Sequence, residues 1–144
     1  MPKKQHEGDA AFDLYVPRDT KLVKGRQLLN LGFALELPHG YAATIQPRSG
    51  LSIKGMEVVD TRGSNEILHI DADIIRGLVD ECYRGPVGII FKVFEDNASC
   101  YVIPRGTRIA QMQIVRVPDV ELIETDVLSE TDRGNNGYGS TGTK

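Results

Sequence analysis

Leu29, Leu31, Phe33, Leu35 and Leu37 alternate with Asn30, Gly32, Ala34 and Glu36, and the turn residues Pro38-His39-Gly40 close the run. A two-residue period of this kind predicts a strand with one face in a core and the other toward water. Residues 41–46, 87–94, 99–103, 108–117 and 120–124 read the same way. Turn signals separate them at Lys24-Gly25, Glu95-Asp96-Asn97 and Pro104-Arg105-Gly106. Nowhere does a long capped pattern of 3.6-residue period appear, so little helix is expected. Short strands at this spacing predict an all-β antiparallel barrel or jelly-roll sandwich.

Two regions break the rhythm. Residues 56–76 hold the turn-rich Asp60-Thr61-Arg62-Gly63-Ser64-Asn65 and then Ile67-Leu68-His69-Ile70-Asp71-Ala72-Asp73-Ile74. This predicts an extra turn and a strand with Leu68, Ile70, Ala72 and Ile74 on its inner face. His69, Asp71 and Asp73 would share the outer face as a comb of metal-binding types, but three groups in line on one strand do not converge on an ion, so a solvated face is expected. Residues 118–132 carry six carboxylates and no Lys or Arg, which predicts one strand and a solvated linker. The tail from Arg133 has almost nothing to bury and by itself should be disordered.

Composition narrows the classes. A chain of 144 residues suits one domain, 1–132, followed by the glycine-rich tail 133–144. A net charge of −3 argues against generic nucleic-acid binding, and any phosphate ligand must be met by a few placed cations. No apolar run approaches a membrane span and no apolar stretch follows the first residues as in a signal peptide, so a soluble, cytoplasmic protein with no membrane partner is expected. Cys82 and Cys100 have neither metal nor disulfide spacing and read as packing thiols.

The chemistry gathers around Gly77-Leu78-Val79-Asp80-Glu81-Cys82-Tyr83-Arg84-Gly85. It reads as a β-hairpin holding Asp80, after a buried strand, where partial desolvation suits a general base or hydroxyl acceptor. Taken alone, the segment reads rather as a surface turn whose Asp and Tyr face water. In the tail, Gly134, Gly137, Gly139 and Gly142 interleave with Arg133, Tyr138, Ser140 and Thr141. Such a segment can wrap phosphates with backbone N–H groups and hydroxyls and offer a flat ring to a base. It is not a Walker A loop, because the lysine and the following helix are missing.

Three further segments stand in order with these two: Gly8-Asp9-Ala10-Ala11-Phe12-Asp13-Leu14, Pro47-Arg48-Ser49-Gly50-Leu51 and Gly106-Thr107-Arg108-Ile109-Ala110-Gln111. Together the five resemble the ordered motifs of the trimeric dUTP diphosphatases (dUTPases), over nearly the whole chain. The resemblance implies a dUTPase-like jelly-roll (β-clip) enzyme that hydrolyses dUTP to dUMP and pyrophosphate by water attack at the α-phosphorus. It implies Asp80 as the catalytic group and Tyr83 under the deoxyribose, excluding a 2′-hydroxyl. The segment around Gly77 and Val79 would read uracil through its backbone. Arg48, Ser49, Gly50 and Gln111 would meet the phosphates, with Arg108 either joining them or serving the subunit interface. Asp13 would steady a hydrated Mg²⁺ through water, and Arg133, Tyr138, Gly139, Ser140 and Thr141 would close over the substrate. Each site would be shared among the chains of a homotrimer that exchange the strand and tail after Pro118.

Departures from the family pattern are few. Only seven residues precede Gly8, where the family has a strand. Thr107 stands where aspartate is common, and Tyr138 where phenylalanine is common. Residues 56–76 look like an insertion, whose expected roles are to gate the site or to bind a protein partner. The related dCTP deaminases share an Arg-Ser segment but lack the Arg-Gly-x-x-Gly-aromatic-Gly-Ser-Thr-Gly tail. A regulatory module that uses nucleotide only as a switch is the rival of another class, kept open by residues 56–76.

Overall fold

The computed structural model describes residues 1–63 and 66–137. Eleven strands among them form three antiparallel sheets. The first takes β1 (Phe12–Tyr15), β11 (Arg108–Arg116), β4 (Tyr41–Gln46) and β8 (Gly77–Val79), in that spatial order. The second takes β2 (Thr20–Lys21), β10 (Tyr101–Ile103), β5 (Met56–Asp60) and β6 (Ile67–Ile70). The third takes β3 (Gly25–Ala34), β9 (Pro86–Val93) and β7 (Ala72–Ile75). This is the all-β jelly-roll architecture that the alternation predicts.

Alternation places the core. Along β9, Val87, Ile89, Phe91 and Val93 are buried while Gly88, Ile90 and Lys92 are not. Leu14, Leu22, Met56, Val58, Ile103 and Ile109 join them without measurable exposure beyond 1%. Each such side chain contributes about 1.5–3 kcal/mol of burial free energy, so this shared interior holds the three sheets together. The β3 strand starts earlier and stops earlier than its apolar run: its register with β9 breaks between Asn30 and Ala34, and Leu35 and Leu37 pack on the core from beyond the strand.

Three local expectations change. Residues 98–100 make a 3-10 turn, leaving a strand only at Tyr101–Ile103. Residues 120–124 make no strand, and Val120, Leu122 and Ile123 stand at 70%, 95% and 79% exposure. Where little helix is expected, the motif Arg48-Ser49-Gly50 opens a short one, α1 (Ser49–Lys54), with Gly50 in its backbone. Gly55 ends that helix at φ +90°, its N–H donating to the Leu51 carbonyl at 2.8 Å. A Cβ at Gly55 would fall 2.4 Å from the Ile70 carbonyl oxygen. Glycine is required there by both backbone and space.

Residues 56–76 are scaffold. They supply β5, β6 and β7, and Met56, Val58, Ile70, Ala72 and Ile74 all belong to the core. The single strand expected over 67–74 is two, because the chain leaves the second sheet after Ile70 and enters the third at Ala72. His69, Asp71 and Asp73 face water, and no group of three His, Cys, Asp or Glu suited to a metal occurs among the described residues. The segment's other positions, among them Glu57, Ile67, His69, Asp71 and Asp73, stay exposed. At its turn, Arg62 donates through Nε and one terminal nitrogen to the buried Asp60 carboxylate, at 3.0 and 2.5 Å, which pulls the Asp60 pKa down to about 2.

Near the start of the chain, Lys3 and Asp13 exchange two backbone hydrogen bonds, of 3.2 and 2.8 Å, so the outer edge of β1 is partly paired. No helix among the described residues is long and apolar enough to cross a membrane.

Candidate active site

Two clefts hold most of the residues that the motifs single out. The first, about 350 Å³, is lined by Leu28, Asn30, Ile45, Gly77, Val79, Asp80 and Tyr83, with others of β9. β8 forms its floor by pairing with β4, Val79 opposite Ala43 and Gly77 opposite Ile45. The expected hairpin does not close. β8 lies in the first sheet and β9 in the third, and β9 already has β3 and β7 on its two edges, so it has no edge left for β8. Residues 80–85 are therefore an arch between sheets.

Within that arch the Tyr83 N–H donates to the Asp80 carbonyl at 3.1 Å. The Tyr83 hydroxyl donates to the Pro86 carbonyl at 3.2 Å, and its ring lies against Gly85, where a Cβ would come within 2.3 Å of the hydroxyl oxygen. Gly85 thus gives the ring its seat. Asp80 is exposed, not partly desolvated as expected, because it stands one residue past the end of β8 where the wall opens. Cys82 is exposed on the same arch and does not pack, whereas Cys100 is half-buried.

The second cleft, about 400 Å³, is polar. Gln5, His6, Asp9, Asp13, Gln46, Arg48, Ser49, Arg108 and Gln111 line it. At its base the Arg48 Nε donates to one oxygen of buried Asp13 at 2.9 Å, and Arg108 donates to the other at 3.3 Å. One carboxylate therefore aligns two guanidiniums, and removing either cation would leave part of a buried charge unmatched. Gln111 donates from Nε2 to the Pro47 carbonyl at 3.0 Å, which holds the entry to α1 against β11 and leaves its second amide hydrogen free to point elsewhere. Gly50 lines an adjoining cleft that shares Arg48 and Arg108 and adds Lys54 and His69.

Asp13, Arg48, Ser49 and Gln111 are thus brought together, and so are Gly77, Val79, Asp80 and Tyr83. The two sets share no lining residue. Arg133 is exposed and donates from Nε to the Asn136 carbonyl at 2.9 Å. Tyr138, Gly139, Ser140 and Thr141 lie outside the described residues. Sequence reasoning left the place of Arg108 open and missed Asn30, Gln46 and Asp9. Asn30 carries a signal, since it falls on the outward phase of the Leu29–Leu31 alternation, and Gln46 does too as the last residue before Pro47-Arg48.

The family model described as dUTPase matches residues 1–70 and 61–142. The deoxyuridine 5'-triphosphate nucleotidohydrolase of Beijerinckia indica subsp. indica is 44% identical over 148 residues, covering 99% of this chain and 82% of that protein. That of Corynebacterium efficiens is 39% identical over 144 residues, covering 99% and 71%. Among solved structures, the Staphylococcus bacteriophage 80alpha dUTPase with dUPNHPP superposes with a TM-score of 0.79 at 26% identity, over 99% of this chain and 92% of that one.

Proposed function

The chain belongs to the dUTPase family and hydrolyses dUTP, and from that premise we propose how its two clefts divide the reaction. The observation that carries the division is their contrast: a shaped, mostly apolar cleft beside Asp80 and a polar one in which Asp13 aligns the Arg48 and Arg108 guanidiniums. The first takes the nucleoside. Uracil is read by the backbone between Gly77 and Val79, and the Tyr83 ring fills the space a 2′-hydroxyl would need. A site that pairs polar edges in this way rejects a base of reversed donor and acceptor pattern far better than an apolar pocket does.

Asp80 accepts the proton of the attacking water and takes a hydrogen bond from the 3′-hydroxyl. The water oxygen bonds to the α-phosphorus as the bond to the bridging oxygen breaks, and pyrophosphate leaves with the electron pair. Phosphoryl chemistry of this kind rests on positioning and charge neutralisation more than on covalent help. Arg48, Ser49, Gln111 and Arg108 supply these, and Arg133 with Tyr138, Gly139, Ser140 and Thr141 completes the enclosure.

A Mg²⁺ ion fits this donor set only with its own water shell. Both Asp13 oxygens already accept a guanidinium, and no cluster of three protein ligands exists among the described residues, but each oxygen keeps a lone pair for a bound water. When bound, the ion would neutralise charge on the phosphate oxygens.

Separate clefts support a substrate held between copies. In a homotrimer the Asp80 arch of one chain faces the polar Arg48 cleft of another, and the arm after Arg116 crosses the boundary with Val120, Leu122, Ile123, Val127 and Leu128, which are exposed here. The test is pyrophosphate release with Mg²⁺ from dUTP, dCTP, dTTP and UTP. Release from dUTP alone, abolished by Asp80→Asn, supports the assignment; release that survives Asp80→Asn removes Asp80 from the reaction. Mixing Asp80→Asn chains with Arg48→Ala chains under exchange conditions then restores turnover if sites are shared, and restores none if each chain carries a whole site.

A further inference from the structure

Asp80 and Tyr83 ride on an arch that no strand ladder holds beyond Val79. Most of its contacts tie it to itself. Arg84 donates to the carbonyls of Glu81 and Tyr83 at 2.5 and 3.2 Å, and Tyr83 bonds to Asp80 and Pro86. The Arg84–Glu36 pair at 3.6 Å reaches outward, but an exposed ion pair of that length contributes little.

Glu81 is different. Its Oε2 accepts the Gly40 backbone N–H at 2.6 Å and its Oε1 lies 2.9 Å from His39 Nδ1. Both oxygens of one half-buried carboxylate grip one turn, 41 and 42 residues away in sequence. That turn is itself tied down, because the Gly40 carbonyl accepts the Val117 N–H at 2.8 Å, just past the end of β11. A charge-assisted two-point contact onto an anchored turn fixes direction as well as distance.

We infer that Glu81 is the positioning residue of the substrate arch: by gripping the turn at His39 and Gly40 it sets where Asp80 and Tyr83 stand, and through Tyr83 it sets the preference for deoxyribose over ribose. This rests on the sugar-facing role proposed for Tyr83. Glu81 itself does not line the nucleoside cleft. The groups facing His39 across its own groove are Asp80, Glu81 and Asp119, with no Lys or Arg among the groove's lining residues.

The experiment measures kcat and KM for dUTP and UTP in the native enzyme and in Glu81→Ala, Glu81→Gln, His39→Ala and Tyr83→Ala. Glu81→Ala should lower kcat/KM for dUTP by about tenfold, as small misplacements do, and narrow the dUTP-to-UTP ratio. Glu81→Gln keeps an acceptor for Gly40 and an amide that can donate to neutral His39, so it should recover most of that ratio. His39→Ala, at an exposed position, should narrow the ratio less and guards against misfolding of the Glu81 variants. A merely structural role would lower both substrates together. A ratio unchanged in Glu81→Ala but narrowed in Tyr83→Ala overturns the inference and leaves the Tyr83 assignment standing. A ratio unchanged in Tyr83→Ala overturns the assignment and the inference with it.

Discussion

The cleft beside Asp80 and the cleft around Arg48 are built on opposite plans. Leu28, Ile45, Leu78, Val79 and Ile90 wall the first, and few polar side chains enter it. Asp9, Asp13, Arg48 and Arg108 dominate the second. A base and sugar are told apart by shape and backbone hydrogen bonds, which demand a fixed wall. A triphosphate is recognised by charge, which tolerates movement but demands that the cations be aimed. Hence the first depends on how an arch is braced, and the second on one buried carboxylate.

The largest effect should come from the first cleft. Asp80→Asn keeps size and loses the proton acceptor, and should lower kcat by about 10²–10⁴-fold with little change in thermal stability. If kcat holds while KM rises, Asp80 serves only the sugar. Next is Arg48→Ala, which removes a charge-assisted contact of about 1.5–3 kcal/mol, roughly ten- to hundredfold in KM for dUTP. Its effect should shrink as salt screens the phosphates, whereas that of Asp80→Asn should not, and steady-state kinetics across ionic strength separates the two.

Gly55→Ala probes the end of α1, beside the adjoining cleft that shares Arg48 and Arg108 with the second. Forcing a Cβ against the Ile70 carbonyl at φ +90° should cost about 1–3 kcal/mol, read as a lower Tm, and should disturb phosphate affinity through α1 while leaving the dUTP-to-UTP ratio intact. The smallest effect is one of pH. Hydrogen bonding to Glu81 raises the His39 pKa above its ordinary 6.5, and the same contact with the Gly40 N–H lowers that of Glu81 below 4.5. A raised His39 value means its contribution is whole below pH 6.5 and is lost as pH rises through the folded value; Glu81's is whole above pH 4.5 and is lost on acidification. The brace is therefore strongest between these limits. The dUTP-to-UTP ratio should fall modestly on the alkaline side of that window, and His39→Ala should flatten the profile.

What the sequence disclosed follows from range. β4, β9 and β11 are legible within a residue or so because alternation is local, and Asp80 and Tyr83 stand together because three residues separate them. The Asp13–Arg48–Arg108 cluster joins positions 35 and 95 residues apart, and no periodicity connects them; only family motifs placed them near one another. The hairpin reading of residues 77–85 failed because turn residues show where a chain bends, not which sheet each arm enters. α1 escaped notice because six residues with a glycine inside make too short a pattern, although Gly55 marked its end. The apolar residues of 120–124 alternate well enough for a strand but pair with no strand among the described residues.

β11, the last strand in chain order among the described residues, is an inner strand, seated between β1 and β4. On the ribosome, both of those strands must wait with open ladders until residues 108–116 have left the exit tunnel, and pairing between distant ends of a chain is slow to form. Asp13 cannot meet Arg108 before that moment. A nascent chain interrupted short of β11 therefore carries an unclosed sheet and no phosphate cleft, and joins the pool of fragments that aggregate or are degraded.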